Sequence, residues 1–197
     1  MESRYLALLK EAVGIFYSQD AKTLLPMDKE QEACERCIVN CIARYLWHLI
    51  ELQGLEVNVD VEYNLDRKSE DYKRIQASRC MRCTGCWMNE FLMGRVSREK
   101  KDDGTLVYPD LIVHIRGEDK NYLAVEFKKK DEAVDGDDHY TNAAKWDFAK
   151  LKYFSCGKRR KGIRCYDEAV FVILKDEGPE FILSRNFPNT VREPARG

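Results

Sequence analysis

Tyr108–Lys130 reads YPDLIVHIRGEDKNYLAVEFKKK, and its pattern is that of two short strands joined by a turn. Leu111–Arg116 (LIVHIR) and Tyr122–Lys128 (YLAVEFK) carry the β-branched and aromatic residues. Gly117 to Asn121 are turn-type residues between them, so a β-hairpin is expected. Side chains alternate across a strand. Leu123, Val125 and Phe127 therefore share an apolar face directed to the core, and Tyr122, Ala124, Glu126 and Lys128 share the other. With the turn centred on Glu118, Asp110 falls opposite Glu126 on the same face; a one-residue slip would destroy the match.

Two acids and a lysine then converge at one end of the hairpin. Hard carboxylate oxygens beside an ammonium suit a divalent cation and the hydrolysis of a phosphodiester. The plain alternative is a surface ion-pair ladder. Pro109-Asp110, fifteen intervening residues, then Glu126-Phe127-Lys128 resembles the signature of the PD-(D/E)XK nuclease superfamily, which includes restriction endonucleases and Holliday junction resolvases.

Composition is compatible with that resemblance without implying it. The 197 residues suffice for one domain with a sizeable core. The content is 44% hydrophobic and 34% charged, so a soluble, charge-rich globule is expected. A net charge of -1 means that any nucleic acid must be held by local basic patches. No apolar run approaches the roughly 20 residues of a membrane span, and the first twenty residues lack the features of a secretory signal. The expected location is cytoplasmic, where the eight cysteines would be free thiols or metal ligands.

Outward from the hairpin, residues 3–18 read as an amphipathic helix for packing or oligomer contact. Residues 29–53 read as a longer helix ending at Gly54. The stripe of the longer helix is Ile38, Cys41, Ile42, Tyr45, Leu46, Leu49 and Ile50; one turn earlier it meets Glu35, a carboxylate in line with the core face. Such a group needs a cationic or metal partner, unless it bends to water and merely favours the helix dipole. A strand with alternating Val57, Val59 and Val61 follows, its polar face including Glu62. Residues 66–104 look like a cysteine-bearing insertion. After the hairpin come a charged loop and a helix in residues 137–154, capped by Asp137 or Asp138. Last are the buried strand EAVFVILK, the short strand PEFILSR and a loose tail.

The expected fold is thus α/β, a single domain. It comprises an N-terminal helix and loop (1–28), a core (29–175) and a C-terminal strand and tail (176–197). The order helix, three strands, helix, strand resembles the αβββαβ core of the restriction-endonuclease-like fold, a mixed central sheet flanked by helices. By that resemblance Asp110, Glu126 and the main-chain carbonyl of Phe127 bind Mg²⁺ or Mn²⁺. It also implies that Lys128 orients the attacking water and that Glu35 (Glu32 as fallback) holds a second ion or its waters. On the later helix, His139, Lys145, Asp147 and Lys150 are candidates for a polar residue reaching the phosphate.

Cys80, Cys83 and Cys86 have C-x2-C-x2-C metal-ligand spacing. A fourth ligand could come from Cys156, Cys165, Cys34 or Cys37, giving a zinc site or an iron–sulfur cluster, with free thiols as the alternative. Cys37 and Cys41, four apart on a helix, read more simply as small buried residues. Candidate contacts to a nucleic-acid backbone are Lys129, Lys130, Lys150, Lys158, Arg159, Arg160, Lys161 and Arg164. The expected activity is metal-dependent hydrolysis of phosphodiester bonds, with DNA the favoured substrate and a homodimer or partner protein supplying recognition. The alternative is a catalytically silent nucleic-acid-binding or assembly module built on a zinc knuckle.

Overall fold

The computed structural model of the chain describes residues 2–25, 33–61, 65–66, 71–72, 74–75, 105–106, 108–135, 140–155 and 166–186. Helix α1 is Arg4–Gln19, with the Ser3 hydroxyl accepting from the Leu6 amide at 3.2 Å. A single turn, α2, covers Ala21–Leu24, and α3 covers Glu35–Leu52. Strand β1 is Asn58–Val61. Four two-residue strands follow: β2 Leu65–Asp66, β3 Asp71–Tyr72, β4 Arg74–Ile75 and β5 Thr105–Leu106. The hairpin strands are β6 Leu111–His114 and β7 Asn121–Lys129. Helices α4 (Lys130–Ala133) and α5 (Asn142–Ser155) lead to β8 (Glu168–Leu174) and β9 (Glu180–Leu183).

The main sheet has five strands in the order β1-β6-β7-β8-β9. Neighbours are antiparallel except β7 and β8, which run parallel through the α4–α5 connection. The sheet is therefore mixed and open, with helices on both faces. Leu123, Val125 and Phe127 of β7, with Val170, Val172 and Leu174 of β8, pack against α1 and α3. Ala124 of β7 and Ala169, Phe171 and Ile173 of β8 pack with Ala144, Phe148 and Leu151 of α5. Strands covered on both faces have no solvated side, which is why β8 reads as a continuous apolar run. Helix α1 is no appendage: Leu6, Leu9, Val13 and Phe16 are buried in the same cluster as α3. The Tyr17 hydroxyl donates to the Lys175 carbonyl at 2.7 Å.

The hairpin has the expected centre. Leu111 pairs with Val125, Ile112 with Ala124 and Val113 with Leu123, so the next step sets Asp110 opposite Glu126. Gly117, at φ +82°, takes the left-handed position of the turn, and the Glu118 amide donates to the Ile115 carbonyl at 3.2 Å. One irregularity was not expected: His114 pairs with Asn121, leaving Tyr122 as an extra residue. That bulge turns Tyr122 away from the face of Ala124 and Glu126, and its ring stacks on Tyr5 of α1 at 4.5 Å. Because the bulge lies on the turn side, the register toward Asp110 is preserved.

Other boundaries differ from expectation for local reasons. Helix α3 begins only at Glu35, since Cys34 is extended (φ -62°, ψ 147°). It ends as expected: Gly54, at φ +63°, follows it, and the Gly54 and Leu55 amides bond the Glu51 and Ile50 carbonyls. Residues 130–133 are a helical turn rather than loop, with Ala133 buried beneath α5. Helix α5 starts at Asn142, and the Thr141 hydroxyl accepts from the Ala144 amide at 3.2 Å; Asp137 and Asp138 lie outside the described residues. The β4–β5 ladder pairs Arg74 with Leu106 and Ile75 with Thr105, bringing together the two ends of 76–104. No helix among the described residues is long and apolar enough to cross a membrane.

Candidate functional site

The polar cluster lies where β7 leaves the sheet, between the start of α3 and the middle of α5. Strand alternation points Glu126 toward α5, into the interior, where only 1% of the residue is exposed. There Glu126 Oε2 accepts from Lys150 Nζ at 2.7 Å. Lys150 also meets Asp147 Oδ1 at 2.8 Å, one helical turn earlier on α5. Asp147 Oδ2 stands 3.7 Å from Lys128 Nζ. Lys128 Nζ in turn donates to both oxygens of Glu35, each at 2.9 Å. Asp110, at the start of β6, is fixed differently: its Oδ2 accepts from the Phe127 amide at 2.7 Å. Four acids and two lysines from four elements thus form one charged unit.

The lysines do not neutralise it. Glu126 Oε1 and Asp147 Oδ2 are buried oxygens without a hydrogen-bond partner among the described residues. Buried polar groups are normally bonded, so an orphaned carboxylate oxygen needs a reason. Burial raises the Glu126 carboxyl well above the ordinary range, and the negative charge of Asp110 adds to the effect. Burial also raises Asp110, against the Phe127 amide that favours its charged form. Glu35 is pushed up to about 7 by burial, only partly offset by Lys128. Burial works against the charged form of Lys128, but Asp147 and Glu35 overcome it and raise the amine. Lys150 is raised likewise, Glu126 and Asp147 overriding its burial.

The hairpin trio and Glu35 thus meet in one place. No three His, Cys, Asp or Glu side chains among the described residues converge as a metal-holding group; Lys128 stands between Glu35 and Asp147, and Lys150 between Asp147 and Glu126. The contact made by Phe127 is through its amide. Two lysines assigned to a nucleic-acid backbone are placed elsewhere. Lys150 is buried between two carboxylates, and Lys129 is buried with its Nζ on the Ala33 carbonyl at 2.7 Å. Alternation on β7 and the inward face of α5 take both away from the surface. Lys130 is exposed, 3.5 Å from Glu177.

Asp147 was a candidate only by its helix; its spacing of three from Lys150 was the available signal. His139, Glu32, Glu62 and the run Lys158, Arg159, Arg160, Lys161 and Arg164 lie outside the described residues. So do Cys80, Cys83, Cys86, Cys156 and Cys165. Cys37 is exposed rather than buried, and Cys41 is half-buried.

Comparison with protein-family models, with curated proteins and with solved structures found no match.

Proposed function

We propose that the protein is a divalent-cation-dependent nuclease of the PD-(D/E)XK kind that hydrolyses phosphodiester bonds, with DNA as substrate. The observation that carries this reading is the acidic unit at the end of the hairpin. It joins Asp110, Glu126 and Lys128 to Glu35, and it retains two buried carboxylate oxygens without a hydrogen bond among the described residues. The order α3, β1, β6, β7, α5, β8 supports the reading, matching the expected αβββαβ pattern with two-residue ladders inserted after β1.

The donor set fits a hard cation. Asp110 and Glu126 would hold it through oxygen, with the waters that Mg²⁺ or Mn²⁺ retains, the cation taking the place of the Lys150 ammonium at Glu126. When bound, the cation supplies a water of lowered pKa as nucleophile and positive charge at the reacting phosphate. The chain's own residues do the rest. Lys128, anchored by Glu35, presents an ammonium to the negative charge that grows on phosphorus. Glu35 exchanges a proton near neutral pH because burial pushes it up to about 7. Lys150 keeps Glu126 and Asp147 from repelling each other before a substrate arrives.

Plasmid and linear DNA incubated with Mg²⁺ or Mn²⁺ test the reading. Cleavage should fall on the order of 10²–10³-fold for Asp110→Asn and for Lys128→Ala, the scale of removing one transition-state contact. Cleavage that survives both substitutions removes this site from the chemistry. No cleavage of any DNA or RNA form favours the silent binding or assembly module, in which the lysine–acid network is purely structural.

A further inference from the structure

We propose that Cys34 and Cys37 form a redox-active dithiol that exchanges with low-molecular-weight disulfides of the glutathione class. The two sulfurs stand 3.0 Å apart, in direct contact, and both residues are exposed. They bracket the first turn of α3: Cys34 is the extended residue before the helix, and the Cys37 amide donates to the Cys34 carbonyl at 2.9 Å. That compact turn holds the sulfurs close enough for a bond of about 2.05 Å to form. Two thiolates sharing one tetrahedral zinc at about 2.3 Å would be held well beyond the observed separation.

Cys41, one turn further on, provides a contrast within the same helix. Its thiol donates to Asp20 Oδ2 at 3.1 Å, and burial pushes it up to about 11. It remains a thiol under conditions in which an exposed neighbour reacts.

The exchange balances in two steps. The Cys34 thiolate, at the helix N-terminus where amide dipoles favour an anion, attacks one sulfur of the glutathione disulfide. A mixed disulfide forms and one glutathione thiolate leaves. The Cys37 thiolate then attacks the Cys34 sulfur and expels the second glutathione. The two protons lost by the cysteines pass to the two glutathione thiolates. The dithiol is oxidised, and one disulfide is reduced to two thiols.

The ring so closed contains Glu35, whose carboxylate holds Lys128. Redox state would therefore act on the candidate active site; this consequence rests on the nuclease reading, whereas the dithiol does not.

The full-length reduced protein, equilibrated with glutathione mixtures, acid-quenched, alkylated and cleaved after lysine, yields a peptide of residues 30–68 whose only cysteines are 34, 37 and 41. The proposal expects three alkyl groups under reducing conditions. Under oxidising conditions it expects one alkyl group, on Cys41, with the loss of two hydrogens between Cys34 and Cys37. Cys37→Ser should trap glutathione on Cys34. Three alkyl groups under oxidising conditions, or glutathione spread evenly over Cys37 and Cys41, would overturn it. So would thiols that resist alkylation until a chelator is added, which would mark them as metal ligands. In the cleavage assay, oxidation should slow the wild type several-fold and leave Cys34→Ser unaffected. If no nuclease activity exists, the peptide result still decides the dithiol.

Discussion

The two ends of the β6–β7 hairpin each carry a carboxylate among basic groups, and they solve the problem in opposite ways. At the turn end, Asp60 of β1 meets His114 Nε2 at 2.7 Å and Arg116 Nε at 3.0 Å. Burial would raise its carboxyl, but the His114 and Arg116 contacts prevail and hold it below the ordinary range. One acid there faces two basic groups. At the other end, Glu35, Asp110, Glu126 and Asp147 face Lys128 and Lys150, leaving a formal charge of 2 - 4 = -2 if all ionise. There Glu35, Asp110 and Glu126 are pushed up, and two buried oxygens have no hydrogen bond among the described residues. The difference separates a structural ion pair, complete in itself, from a cluster with unused capacity for positive charge. Perturbed, incompletely paired acids of this kind are what functional sites produce.

The strongest way to break the contrast is to remove one basic group from each end. Lys150→Ala leaves Glu126 and Asp147 buried without their shared cation and should cost about 3–5 kcal/mol. Arg116→Ala, which removes a side chain 47% exposed, should cost at most about 1 kcal/mol, both losses being read by denaturant titration. Equal losses would mean that the acidic unit is no more strained than the turn end.

Cation binding comes next in size. A ligand present at 100 times its Kd stabilises the native state by about 2.7 kcal/mol. Mn²⁺ or Mg²⁺ should therefore raise the melting temperature of the wild type and of Asp60→Asn, but not that of Glu126→Gln. Binding should also tighten as pH rises, because the cation competes with protons for the raised Glu126 carboxyl; calorimetry in buffers of different ionisation enthalpy reads the protons released. A shift retained in Glu126→Gln would place the cation elsewhere.

The two ends should also respond oppositely to pH. Glu35, pushed up to about 7 in the fold, keeps a proton that the unfolded chain has already lost. Its contribution is complete at low pH and is lost as pH rises from the ordinary carboxylate range through about 7. Asp60 is held low, so its stabilisation is present above the ordinary range and is lost as pH falls through and below it. Unfolding free energies from pH 3 to 8 should show the neutral slope shrink in Glu35→Gln, with Asp110 and Glu126 keeping the remainder, and the acid slope shrink in Asp60→Asn. The smallest effect belongs to Lys130→Ala. It breaks only an exposed 3.5 Å pair with Glu177 and should change stability by less than about 0.5 kcal/mol.

What could be read in advance followed the range of the interactions. Alternation is local, so Glu126 and Lys128 shared a face before any fold was known; the turn residues then set Asp110 against Glu126. Glu35 stood out because it continued the line of an apolar stripe one turn before the stripe began. The bulge at Tyr122 was not legible, since it answers to α1, where Tyr5 stacks on the displaced ring. Lys129 and Lys150 read as surface charges because lysines usually are. Only the docking of α3 and α5 against β7 made them interior.

By itself, then, the sequence determined the main strands and helices, the hairpin register and the trio of Asp110, Glu126 and Lys128, all of which depend on neighbours a few residues apart. Tertiary structure alone decided that Asp147 and Lys150 complete the trio and that Lys128 is held by Glu35 across 93 positions of chain. It alone left two buried carboxylate oxygens without a hydrogen bond among the described residues. Desolvation is a property of what packs on top, and no local pattern in the chain encodes it.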